Sequence, residues 1–254
     1  MSTIIYPSPI FGPVHSRRLG LSLGINLLPA DGKVCSFDCI YCECGFNEDH
    51  RPNLPLPTCD EVTHALEQKL QQMQQEGQLP DVLTFAGNGE PTCHPHFADI
   101  IADTIQLRNQ YCPEAKVSVL SNATMIHRPD VHRALLQVDN NIQKLDTVDP
   151  DFIRQVNHPA DTYDVQRIIN GLKAFNGHTI IQTIFLHGNG IDNTTDFYVD
   201  PWLEALKDIA PKQVMIYTID RETPDQSLRK ATREELDAIR DRVIAAGIPC
   251  TASY

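Results

Sequence analysis

From residue 58 onward the chain alternates short runs of apolar and β-branched residues with stretches whose apolar positions recur every three or four residues. Thr58-Cys59-Asp60-Glu61 predicts a capping box, and Val62, Leu66, Leu70 and Met73 then fall on one helical face. Residues 81–86 (DVLTFA) predict a short buried strand, and Phe97, Ile100, Ile101, Thr104 and Ile105 mark the helix after it. Residues 116–120 predict another strand, followed by a helix that Pro129 opens and that carries Val131, Leu135 and Val138. Residues 141–146 read as a strand, and Val165, Ile168, Ile169, Leu172 and Phe175 as a helical stripe. Residues 178–186 and 213–219 predict strands, each followed by a helix. One of these helices is opened by Asp200 and Pro201; the other is boxed by Thr232 and Glu235 and stopped at Gly247. Residues 21–28 and 248–252 supply a first and a last strand.

Six or seven strand–helix units in series imply an α/β chain. Its parallel sheet, with helices outside, would curl into a full or partial barrel, the rival being an open doubly wound sheet. No fixed-period repeat, low-complexity run or linker breaks the 254 residues, which predicts one domain over residues 1–254 with a short N-terminal extension.

Charge narrows the function classes. A balance of 21 basic against 33 acidic residues gives −12, which disfavours broad nucleic-acid binding because phosphate neutralisation needs clustered Lys and Arg. A local basic patch stays open, and Arg17 with Arg18 is the early basic pair, most simply a solvated turn. The N-terminus lacks a basic start followed by an apolar core, and no apolar run approaches the roughly 18 residues of a membrane span, so a cytoplasmic protein is expected. That compartment disfavours disulfides, and eight cysteines then turn attention to metal or redox chemistry.

The strongest chemical feature is Cys35-Ser-Phe-Asp-Cys39-Ile-Tyr-Cys42, three thiols in a loop after the first predicted strand. So short a spacing lets three thiolates converge on one inorganic centre, and a cubane anchored at three irons keeps its fourth iron open. Cys44 leaves room for a compact four-cysteine zinc site, although structural zinc ligands usually come as two separated pairs. A thiol–disulfide pair on Cys39 and Cys42 is the weaker alternative.

With aromatic Tyr41 just before its last cysteine, this run resembles the cluster motif of the radical S-adenosylmethionine (SAM) enzymes. The surrounding text, SRRLGLSLGIN followed by CSFDCIYCECG, more narrowly resembles the group containing wyosine-forming tRNA enzymes and many uncharacterised relatives. The likeness runs from about residue 13 to residue 224. It implies a partial parallel (β/α)6-type barrel with a [4Fe-4S] cluster on Cys35, Cys39 and Cys42. It also implies that SAM binds the open iron through its amine and carboxylate, and is cleaved reductively to a 5′-deoxyadenosyl radical for hydrogen abstraction. An electron donor such as flavodoxin or ferredoxin would be the partner. Among the cofactor contacts so implied, Tyr41 belongs to the cluster loop.

Other strand ends fit the same scheme. Gly87-Asn88-Gly89-Glu90 follows residues 81–86; its glycines allow a sharp turn and close backbone approach, and Glu90 offers an acceptor for an ammonium group. This turn resembles the family's glycine-glycine-glutamate motif, which contacts the SAM amine, with Asn88 standing where the first glycine often does. Ser121-Asn122 and Asp146 end the next two strands and are candidate ribose or carboxylate contacts, though such residues are also common in turns. Gln182 and Tyr217, on later strands, are candidate cavity-lining contacts. Cys35, Glu90, Ser121, Asp146 and His187 all follow the C-terminal ends of predicted strands, the edge where parallel β/α folds build sites.

Cys59, Cys93, Cys112 and Cys250 lack ligand-like spacing and read as packing residues; Cys93-His94-Pro95-His96 reads as a loop leading into a helix before it reads as a metal site. No cysteine-rich C-terminal extension is present, so no auxiliary cluster is expected. Three functions stay open: tRNA-base modification, activation of a partner enzyme by making a glycyl radical, and a non-catalytic zinc-binding module.

Overall fold

Two short strands open the chain. In the computed structural model, which describes residues 3–16, 20–188 and 190–254, β1 (Ile10–Ser16) pairs antiparallel with β2 (Gly20–Ile25). The pair Arg17 and Arg18 lies outside the described residues. After β2, residues 26–58 form a long loop, and α1 (Cys59–Gln75) then begins a regular alternation: β3 (Val82–Phe85), α2 (Phe97–Tyr111), β4 (Lys116–Ser121), α3 (Pro129–Leu135) and β5 (Asn140–Lys144). The short α4 (Pro150–Phe152) runs into a wider π turn, Ile153–Asn157, before α5 (Val165–Lys173) and β6 (Ile180–Ile184). Two small strands follow, β7 (Leu186–Gly188) and β8 (Ile191–Asp192), then α6 (Asp196–Ile209), β9 (Gln213–Tyr217), β10 (Arg229–Lys230), α7 (Arg233–Ala245) and β11 (Cys250–Ser253).

The main sheet runs in the order β1-β2-β3-β4-β5-β6-β9-β11, and every pairing beyond the first is parallel. Side chains alternate across it with period two. Leu23, Ile25, Leu83, Phe85, Val117, Val119, Ile181, Val214 and Ile216 join the helices in one core. Their neighbours Ser22, Gly24, Thr84, Leu120, Ile142, Gln182 and Met215 line a cavity of about 490 Å³ on the opposite face. Residues from seven strands reach one cavity only if the sheet curls around it, so the curled-barrel expectation holds over the open sheet. Among the described residues β1 and β11 are not paired with each other, and the barrel stays open.

The helices close the outer face as their stripes predict. Val62, Leu66, Leu70 and Met73 of α1 are all buried, and each such side chain contributes about 1.5–3 kcal/mol. Both capping boxes form, Thr58 with Glu61 and Thr232 with Glu235. The start of α6 differs: the helix begins at Asp196 behind Thr195, and Pro201 lies inside it. Burial of Val199 with Trp202, Leu203 and Leu206 draws an extra turn into the helix, at the cost of the hydrogen bond Pro201 cannot donate. The antiparallel β1 and the small sheet β10-β7-β8 were not legible in the pattern, being two to seven residues long. No helix is long and apolar enough to cross a membrane among the described residues.

Candidate active site

The loop 26–58 leaves the C-terminal end of β2 and is stitched down on two sides. On one side Val34 bridges to Gly89, with Val34 N–H donating to Asn88 O at 3.0 Å and Glu90 N–H to Val34 O at 3.1 Å. On the other, Asp38 and Ile40 N–H groups donate to Asn157 and Val156 carbonyls at 2.9 and 3.0 Å, and Ala160 N–H to Ser36 O at 2.9 Å. Inside the loop the buried Lys33 ammonium donates to Asp38 at 2.9 Å and to Gly45 O at 2.6 Å, tying together the segments before and after the cysteines. Burial opposes the Lys33 charge, but Cys42, Asp38 and Cys35 outweigh it and hold the ammonium above the usual lysine range.

This framework presents Cys35, Cys39 and Cys42 together as free thiols, Cys39 buried and the others half-buried. Polar hydrogens point at the sulfurs: Phe37 N–H at 3.5 Å and Asn122 Nδ2 at 3.7 Å from Cys35 Sγ, and Asn157 Nδ2 at 3.6 Å from Cys39 Sγ. Burial pushes the Cys35 and Cys39 thiols up, with the Glu90 carboxylate adding to the effect at Cys35. Cys42 is held down instead, because the Cys44 thiol hydrogen-bonds to it. Cys44 Sγ also lies 3.4 Å from Gly87 O, and its hydrogen bond to Cys42, then burial, drive its own pKa up.

The donor set, three free thiols within eight residues of one loop, fits the protein anchors of an iron–sulfur cubane. N–H groups directed at the Cys35 and Cys39 sulfurs, with Lys33 and Lys144 nearby, match what tunes such a cluster.

Tyr41 turns down beside the sheet. Its hydroxyl donates to Asp146 and accepts from Lys144 Nζ at 2.6 Å, while Asn157 Nδ2 donates to the same Asp146 carboxylate at 2.9 Å. Burial, then Asp146, raises the Tyr41 pKa well above the ordinary phenol range. Lys144 is raised as well, since Asp146 and its other anionic neighbours overcome the cost of burying it. Lys144 and Asp146 sit two residues apart at the end of β5 and so share a face, a spacing that could have identified Lys144 beside the predicted Asp146.

The Gly87–Glu90 turn is built for the loop. Gly89 has φ +127°, and a Cβ there would lie 1.9 Å from Val34 O, so its close approach is to the cysteine loop's backbone. Gly87, at φ +125°, packs less tightly, a Cβ there lying 2.7 Å from the Asn26 amide carbon. The buried Asn88 amide accepts from Tyr6 N–H at 2.8 Å and donates to Tyr6 O and Pro29 O at 2.9 Å each. Glu90 accepts from Thr92 N–H and hydroxyl at 3.0 and 2.6 Å and from Asn122 N–H at 2.6 Å; burial raises its pKa against these bonds. Ser121 accepts from Ala123 N–H at 3.0 Å, and Asn122 Nδ2 donates to Ser36 at 2.8 Å. Most of these strand-end residues therefore position the cysteine loop. Gln182 faces the cavity together with Cys42, Glu43 and Leu120, while Tyr217 lines an adjoining pocket of about 210 Å³ that shares those four residues. At its rim Arg221 donates to Glu43 at 2.6 Å and to the Tyr6 hydroxyl at 2.9 Å, a contact between distant segments that sequence reasoning missed.

This curled sheet matches known structures. A radical SAM methyltransferase from Sphaerobacter thermophilus superposes with a TM-score of 0.68 at 14% identity, covering 92% of this chain and 66% of that one. The structure of TYW1 with a lysine-pyruvate adduct bound superposes with 0.64 at 14% identity, covering 88% and 73%. The fold is that of the radical SAM enzymes. In sequence, the chain is 31% identical over 223 residues to a UPF0026 protein of Synechocystis, covering 85% of this chain and 77% of that protein. The chain belongs to the UPF0026 family. It is also 28% identical to a protein named GTPase Obg from Brachyspira hyodysenteriae, but covers 32% of that protein's length. No family model matches the chain.

Proposed function

We propose that this protein is a radical SAM enzyme, with a [4Fe-4S] cluster on Cys35, Cys39 and Cys42 and SAM in the cavity beneath. The observation that carries this reading is the meeting of the three-cysteine loop with the cavity at the C-terminal edge of the sheet, where Cys42 lines the wall beside Gly87 and Gln182. When bound, the cluster would supply the electron that cleaves SAM to a 5′-deoxyadenosyl radical for hydrogen abstraction.

The chain's own residues position and enclose. Asn122 and Asn157 donate toward the Cys35 and Cys39 sulfurs and would hydrogen-bond them as thiolate ligands of a bound cluster. The Tyr41–Lys144–Asp146 group fixes the ring of Tyr41 at the cavity edge. Gln182 and Tyr217 offer polar contacts from the sheet, and the Glu43–Arg221 pair narrows the rim against water. A small electron-transfer protein such as flavodoxin or ferredoxin would reduce the site. The charge of −12 favours a substrate held in the cavity over one gripped by a broad basic surface.

The test is anaerobic reconstitution with iron and sulfide, followed by SAM cleavage under a chemical reductant, with and without RNA, protein and small-molecule fractions of a cell extract. The expected result is 5′-deoxyadenosine formation that one fraction accelerates. A reconstituted, reduced protein that leaves SAM intact with every fraction would overturn the proposal.

A further inference from the structure

Outside the cavity, the parallel β/α arrangement sets the first turns of α1 and α2 side by side on the rim. Cys59 is the first residue of α1; His96 precedes α2 and Asp99 lies in its first turn. One helical turn further on, Thr63 donates to Asp103 at 3.2 Å, which fixes the register between the helices. That register brings Cys59 Sγ, a His96 ring nitrogen and an Asp99 carboxylate oxygen within 4.8 Å of one another. His96 Nδ1 stands 3.5 Å from Asp99.

A buried histidine holds the two segments together. His94, 1% exposed, accepts from His96 N–H through Nδ1 at 3.2 Å and therefore donates through Nε2 to Pro57 O at 2.9 Å. One imidazole thus clamps the residue that precedes the Thr58 cap to the backbone of His96. The groove above, about 320 Å³, is lined by residues of both segments, among them Pro57, Cys59, His94 and His96. Burial and the carboxylates of Asp99, Asp103 and Asp60 raise the Cys59 pKa, a field that a bound cation would reverse.

We propose that Cys59, His96 and Asp99 form a surface binding site for a divalent transition-metal ion, zinc by its mixed sulfur, nitrogen and oxygen donors, with the fourth position open to solvent. Zinc bonds of about 2.0–2.3 Å require the donors to draw in by less than a side-chain rotation. The His96 and Asp99 side chains are 61% and 73% exposed and free to make it. Binding displaces the Cys59 thiol proton, so affinity rises with pH. The ion would clasp the first turns of α1 and α2 on the outer rim, separate from the cysteine loop.

The test uses the full chain with its cysteine loop reconstituted anaerobically, dialysed against buffered zinc and then against cobalt(II). One zinc per chain beyond the loop's metal is expected, with a thiolate-to-cobalt charge-transfer band. Cys59→Ser and His96→Ala should each weaken zinc binding by roughly tenfold or more, about 1.4 kcal/mol, with loop iron unchanged. Cys250→Ser, a remote thiol, should bind as the parent does. A variant with Cys35, Cys39 and Cys42 all changed to Ala should retain the zinc, which separates this site from the cluster reading. Equal zinc and cobalt binding by parent, Cys59→Ser and His96→Ala would overturn the proposal, as would loss of the zinc with the loop cysteines.

Discussion

Gly89 carries the strictest demand on residue type near the cysteines. Its φ of +127° is open to glycine, and any side chain would meet the Val34 carbonyl at 1.9 Å. The resemblance implies that this turn contacts the SAM amine, and the structure adds a close approach of Gly89 to the cysteine loop. Gly89→Val is therefore expected to lose iron as well as SAM binding and to cost roughly 2–4 kcal/mol through backbone strain and overpacking. Iron content, SAM binding and urea midpoint check this, and a variant with full iron but weak SAM binding would show that the glycine serves the ligand contact and not the loop. The cysteines were legible because their spacing is local. Lys33 stood two residues from Cys35, and Lys144 two from Asp146, as readable neighbours. Asn157 was not readable: it reaches Cys39 from 118 positions away, through a π turn that no periodicity announces.

At the scale of elements, stripes and caps were legible because they depend on residues three or four apart. The start of α6 was misplaced because its position depends on burying Val199, which is decided by packing. The Thr232–Glu235 box of α7 shows how a local signal gains a distant partner: Glu235 also pairs with His187 at 2.9 Å, just beyond β6. Burial opposes the Glu235 charge, but Thr232 N–H and hydroxyl and His187 prevail, and its pKa is lowered. A lowered carboxylate pKa contributes stability that is full above the unfolded value and lost as pH falls through the folded one. Glu235→Gln is expected to cost about 1 kcal/mol at neutral pH, with the deficit closing as pH drops below about 4. Urea unfolding of both proteins across that range measures it; a deficit independent of pH would show that the carboxylate charge contributes nothing.

For the whole molecule, sidedness is the organising fact. The cysteine loop, the Gly87–Glu90 turn, Asn122 and Asp146 come from successive strand ends and meet at one edge, as the order of predicted strands required. The curl of the sheet was implied by the number of units, whereas the antiparallel β1 at its edge depends on pairing that short strands do not announce. Cys44 separates a cluster from a closed zinc site, because zinc in a structural role takes four protein ligands and a SAM-binding cluster keeps one iron open. The most direct measurement is metal, sulfide and 5′-deoxyadenosine quantified in parallel for Cys42→Ala and Cys44→Ala after identical anaerobic reconstitution. Cys44→Ala should retain iron, sulfide and SAM cleavage while Cys42→Ala loses the intact cluster and the activity; equal metal loss in both variants, with zinc in the unmodified protein, would contradict the account.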